Sequence, residues 1–155
     1  MKQGRLSVSG SEEFSQAEAR AIIEPWYAMF NQPVAEDIGA LHDKAVTDDY
    51  RSFTGDGPGE SWGKDISIKV ISSFATTIPD MKFVIKEVLV CGDRIVVRGE
   101  VSGTPAVPLY NGLIPLSGKS FRVMSIDIQT IRDRKICRTY HMENWIAAMA
   151  QLRAG

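Results

Sequence analysis

The sequence predicts an α+β fold, with N-terminal helices packed in a curved antiparallel sheet. Apolar residues recur at helical spacing through the first half of the chain and at strand spacing through the second. The turn signals "CGD" and "RDRK" divide the second half into two hairpins. Helices followed by a long antiparallel meander place the helices on one face of the sheet. A sheet folded over helices encloses a cone, and the mouth of the cone is a natural ligand cavity.

The elements follow in order. Residues 1–10, "MKQGRLSVSG", predict a flexible Gly/Ser-containing tail, and 11–155 a single domain. "SEEFSQAEARAIIEPWYAMFNQ" carries Ile22, Ile23, Trp26, Tyr27 and Phe30 at helical spacing, with Ser11 or Ser15 as cap. Pro25 predicts a kink there, or a break between two helices. "PVAEDIGALHDKAV" predicts a short second helix with Val34, Ile38 and Leu41 inward and His42 at the surface. "DDYRSF" is a short strand and "GDGPGES" a loop. A third helix, "GKDISIKVISSFATTI", puts Ile66, Val70, Ile71, Phe74 and Ile78 on one face and ends at Pro79.

"MKFVIKEVLV" and "RIVVRGEVSG" form the first hairpin, and Gly92 permits its tight bend. A Pro/Gly-rich loop, "TPAVPLYNGLIPLSGK", leads to the second hairpin, "SFRVMSIDIQTI" with "ICRTYHMENW". "IAAMAQL" is a closing helix.

Composition excludes several classes of function. A net charge of -1 without a Lys/Arg stripe argues against nucleic acid. No apolar run is long enough for a membrane span or a signal peptide. Cys91 and Cys137 are isolated, which predicts a reducing cytoplasm with each as a small core residue. The two histidines, His42 and His141, are too few for a His-rich metal site. No phosphate-binding or nucleophile-elbow motif is present.

The second hairpin carries the chemistry. Residues i and i+2 of a strand share a side, so His141 and Glu143 do, as do Ser125 and Asp127. A three-residue turn at Arg132-Asp133-Arg134 pairs Ile131 with Lys135, Asp127 with Thr139 and Ser125 with His141. Asp127 then lies diagonal to His141, within hydrogen-bond reach, whereas a two-residue turn separates them. The odd face, with Ser125, Asp127, Thr139 and His141 among apolar neighbours, is assigned to the cavity. The even face, with Met124, Ile126, Ile128 and Met142, is assigned to a subunit interface, which predicts a homodimer through the sheet.

From Asp49 to Leu152 the chain resembles the SnoaL-like polyketide cyclases, of the nuclear transport factor 2-like superfamily that also holds ketosteroid isomerase. The matches run in order: "DDY", "PGESWG", "IPDM", "GDRIVVRG", "SGT", "NGLIPLSGK", "SIDI", "RKI" and a closing "W…QL". The resemblance implies a cone-shaped α+β barrel, usually dimeric, with no metal and no organic cofactor. In those cyclases an acid on the last strand, helped by a histidine on the strand before, closes a ring by an intramolecular aldol reaction. Laid over that pattern, this chain has His141 at the acid's position and Asp127 at the histidine's. The pair is exchanged. Arg134 also stands where the family usually has a turn glycine.

The expected function is binding of a hydrophobic carbonyl compound, with cofactor-free acid/base catalysis by neutral His141 and Asp127. In the alternative assignment Asp127 or Glu143 is the base. Ser125, Thr139, Glu143, Tyr27, Tyr50 and Trp62 are the candidate substrate contacts, with Glu143 near the rim. A non-catalytic small-molecule carrier and an interaction module of the same fold remain open readings.

Overall fold

The structure, a computed structural model, describes residues 13–153. The expected tail at 1–10 lies outside them. Four helices pack on one six-stranded sheet: α1 (Gln16–Ala28), α2 (Ile38–Ala45), β1 (Val46–Phe53), β2 (Ser61–Gly63), α3 (Lys64–Thr77), β3 (Lys82–Cys91), β4 (Arg94–Gly103), β5 (Phe121–Arg132), β6 (Lys135–Glu143) and α4 (Trp145–Arg153). The strand order is β2-β1-β6-β5-β4-β3. All neighbours are antiparallel except one: β1 lies parallel to β6, so the sheet is mixed rather than wholly antiparallel.

Ser15 starts α1 with a reciprocal capping box, its hydroxyl accepting from the Glu18 amide while the Glu18 carboxylate accepts from the Ser15 amide. Of the two outcomes expected at Pro25, a kink or a break between two helices, the break does not occur: α1 runs through it. The amide that Pro25 lacks would have met the carbonyl of Ala21, which is on the exposed side, where water replaces the lost bond. The opposite stripe, Ala19, Ile22, Ile23, Trp26 and Tyr27, is buried against the sheet.

Three other expectations fail on burial. His42 is not at the surface but wholly buried, between the rings of Trp26 and Tyr50 at 5.9 Å from each. In α3 the expected Val70, Ile71 and Phe74 do face inward, joined by Ser67, and Ile78 is buried just past its end; Ile66 sits about 100° round the helix from Ser67 and is half exposed. Cys91 is exposed and Cys137 only partly covered, so neither is a buried core residue.

The second hairpin turns on two residues, not three. Asp133 and Arg134 both take left-handed backbone, φ 53° and 57°, and Arg132 pairs with Lys135. Such a turn alone would pair odd with even. A bulge restores the match: Ile131 pairs with Ile136, then Thr130 with Arg138, which leaves Cys137 as the extra residue. Beyond it Gln129 faces Thr139, Asp127 faces His141 and Ser125 faces Glu143. Asp127 and His141 are therefore directly opposite, not diagonal. Before the bulge it is Ile136, not Cys137, that turns inward.

A non-glycine residue in left-handed backbone costs roughly 1 kcal/mol. Arg134→Gly should therefore raise the unfolding free energy by about 1 kcal/mol, with little lost from the exposed Arg134–Glu18 ion pair. Urea denaturation of the two proteins measures this directly.

Candidate functional site

The cone encloses a cavity of about 560 Å³. Aromatic side chains form much of its wall: Trp26 from α1 and Phe30 just beyond it, Phe74 from α3, Phe83 from β3, Trp62 from β2 and Trp145 from α4. Tyr27 and Phe83 stack at 4.4 Å along one side. Asp127, Thr139, His141 and Glu143, on β5 and β6, line the same cavity as a polar strip.

Asp127 is buried, at 1% exposure, and both its oxygens are in use. Oδ2 accepts from the Tyr27 hydroxyl at 2.6 Å, and Oδ1 lies 2.5 Å from His141 Nδ1. A carboxylate accepting from the phenol faces a ring nitrogen that carries a proton. This fixes His141 with Nδ1–H on Asp127 and turns Nε2 toward Glu143, whose Oε1 is 3.7 Å away. Burial alone would lower the His141 pKa. The hydrogen bonds and charges of Asp127 and Glu143 outweigh it and raise the value to about 10. The raised value favours the imidazolium at neutral pH, where the sequence reading expected a neutral base, and the cause is the two flanking carboxylates.

The remaining sequence candidates divide. Tyr27 and Thr139 line the cavity and bond into the strip. Glu143 is not a solvated rim residue: its side chain is 12% exposed and faces the cavity. Trp62 is on the wall. Tyr50 is buried behind it, its hydroxyl donating to Thr139 Oγ1 at 2.9 Å. Burial pushes its phenol pKa up, against the hydroxyl contacts of Thr139 and Ser52. Ser125 is fully covered, with an unpartnered Oγ, and does not reach the cavity surface.

Sequence reasoning missed Gln129. It is completely buried, donates Nε2–H to Tyr27 Oη at 3.0 Å and accepts from Thr139 Oγ1 at 2.6 Å. Its signal was its place on the cavity-side face, two residues from Asp127, where a buried amide needs partners. Tyr110 was also missed. It borders the cavity, stacks edge-on against Trp145 at 5.5 Å, and its phenol pKa is raised by burial and then by the charge of Glu143.

The profile of the SnoaL-like polyketide cyclases matches residues 26–152. The chain belongs to the SnoaL-like polyketide cyclase family. Solved structures agree on the fold. TsrD from Streptomyces laurentii is similar at 26% identity and TM-score 0.76, over 92% of this chain and 100% of that one. A SnoaL-like protein from Jannaschia sp. CCS1 is similar at 21% identity and TM-score 0.71, covering 99% of each chain. IdmH from Streptomyces antibioticus is similar at 20% identity and TM-score 0.70, over 86% of this chain and 97% of its own. No curated protein sequence matches the chain. Among the described residues of this SnoaL-like chain, no helix is long and apolar enough to cross a membrane, and no cluster of metal-ligating side chains occurs.

The two histidines titrate in opposite directions. His42 is lowered to about 4, by burial first and by the Lys64 charge second; Nε2 meets Ser67 Oγ at 3.1 Å and Nδ1 has no protein partner. A depressed pKa gives stability that is present above the unfolded value of about 6.5 and lost as pH falls toward 4. The raised pKa of His141 gives stability that is complete below about 6.5 and lost as pH rises toward 10. Thermal unfolding against pH should show both limbs, with His141→Asn flattening the alkaline one and His42→Asn the acid one.

Proposed function

We propose that this SnoaL-like chain binds a hydrophobic carbonyl compound in the cone and performs cofactor-free acid/base chemistry on it. The observation that carries the reading is an imidazole and a carboxylate side by side, His141 Nε2 3.7 Å from Glu143 Oε1, in a hollow walled mostly by apolar side chains. Nε2–H of His141 donates to the substrate's carbonyl oxygen. Glu143 removes a proton from the adjacent carbon, and the enolate charge that develops is met by the imidazolium. Asp127, already accepting two hydrogen bonds, supports His141 instead of acting as base. Attack of the enolate carbon on a second carbonyl of the same molecule closes a ring; return of the proton at another carbon is an isomerisation. Family membership supports the cyclisation. The exchanged positions of acid and histidine bear on which residue does which task, and the chemistry needs only that both are present.

The reading includes a homodimer through the sheet. Met124, Ile126, Ile128 and Met142 leave a contiguous apolar strip on the outer face, 37% to 64% exposed. Such a patch on a folded chain marks an interaction surface. The expected setting is the cytoplasm.

A panel of polycyclic ketones, lactones and steroids, screened by thermal shift and then assayed for turnover, tests the function. Glu143→Gln and His141→Asn should each lower turnover of a responsive compound by about 10²-fold or more while it still binds. Weakened binding with no turnover in the parent protein would favour a carrier instead. Sedimentation analysis should find a dimer, and Ile126→Lys, which sets a charge in the middle of the apolar strip beside Met142, should shift it to monomer.

A further inference from the structure

A chain of hydrogen bonds runs between the cavity lining, where Tyr27, Thr139 and Asp127 stand, and Tyr50 and Gln129 behind it. Tyr50, Thr139, Gln129, Tyr27 and Asp127 are each no more than 3% exposed and are linked in that order. With the Gln129 amide oriented as in the structure, Oε1 toward Thr139 and Nε2 toward Tyr27, the direction of every other proton follows from counting. Thr139 Oγ1 has one proton and two neighbours, Tyr50 Oη at 2.9 Å and Gln129 Oε1 at 2.6 Å. An amide oxygen only accepts, so Thr139 donates to Gln129 and accepts from Tyr50. That holds the amide with Nε2 toward Tyr27, 3.0 Å away. An amide nitrogen only donates, so Tyr27 accepts from it and has its own single proton left for Asp127. Were the amide reversed, Oε1 would claim the Tyr27 proton and Asp127 Oδ2 would be bare.

We propose that Tyr50, Thr139 and Gln129 are positioning residues that hold Asp127 as an ionised double acceptor and so keep His141 charged, with Nε2–H presented to the cavity. The inference rests on the proposed role of His141 and extends it to residues that do not meet the ligand's reacting atoms. The physical basis is the cost of burying a carboxylate: removing one donor disfavours its charged form. The proton held across 2.5 Å between Nδ1 and Oδ1 then moves toward oxygen, and the imidazole becomes neutral. The ionisable groups that face His141 are Asp127 from β5 and Glu143 from its own strand, with Tyr27 from α1 on the far side of Asp127 and Tyr110 near Glu143.

The test is the ring-nitrogen NMR spectrum of the full chain labelled with ¹⁵N, at about pH 7. With two histidines in the sequence, His141→Asn assigns the signals. The parent protein should show both His141 ring nitrogens protonated. Tyr27→Phe removes the donor to Asp127 and should cost His141 at least about half of its imidazolium signal. Thr139→Val frees the Gln129 amide to reverse and should move the signal the same way, while Thr139→Ser, which keeps the hydroxyl, restores it. If Tyr27→Phe and Thr139→Val lower the melting temperature but leave the imidazolium signal intact, the chain is only structural and the proposal fails. Should Thr139→Val not fold, Tyr27→Phe and Tyr50→Phe decide on the same criterion. The spectrum needs no substrate, so the proposal can stand where the ligand screen finds no turnover, and fall where it does.

Discussion

A carboxylate placed where water cannot reach it sets the terms for the rest of this molecule. Asp127 is buried beside an aromatic hollow, and each of its buried oxygens needs a hydrogen-bond donor. The structure supplies one from a helix and one from the neighbouring strand. The helix must therefore seat Tyr27 at one depth and one rotation, and α1 is fixed at both ends of that requirement. Its capping box sets where it begins, and Trp26 and Tyr27 bury the last turn against the sheet. The strand must bring His141 opposite Asp127, and this depends on an irregularity. The two-residue turn and the Cys137 bulge are each out of step by one residue, and together they return to register.

The same carboxylate explains why the polar strip sits on an apolar wall without unravelling it. An isolated imidazolium in such surroundings would lose its proton. Between Asp127 and Glu143 it keeps it. His42 is the internal comparison: it is also buried, also near aromatic rings, but has a hydroxyl for company and a lysine nearby, and it remains neutral until far lower pH. One residue type in one domain thus takes opposite charge states because of what stands within hydrogen-bond reach.

Much of the fold was legible because it rests on periodicity. The helical stripe of α1, the two hairpins and the assignment of the odd positions of β5 to the interior follow from the spacing of apolar residues. What was not legible depends on single residues against particular surroundings. Pro25 does not break α1, since the bond it removes faces water. His42 is interior although its sequence neighbours Asp43 and Lys44 are exposed. The β5–β6 pairing came out odd with odd for a different reason from the expected one, because a bulge leaves no mark in hydrophobic alternation. At the site, the His141–Asp127 pair was readable from strand spacing. The protonation state of His141 was not, since it depends on how far Asp127 and Glu143 together outweigh burial. Gln129 was overlooked because a lone glutamine in a strand carries no motif.

The parallel seam between β1 and β6 has a consequence for how the protein is made. Tyr50 and Thr139 are 89 residues apart in the chain, and Tyr27 and Asp127 are 100. Contacts so distant in sequence require closure of long loops before they return any free energy. A ribosome must therefore release nearly the whole chain before the hollow can exist. Until β6 emerges, β1 lacks its parallel neighbour and the hollow one of its walls, so apolar surface stays incompletely covered, a stage at which a chaperone would find its client.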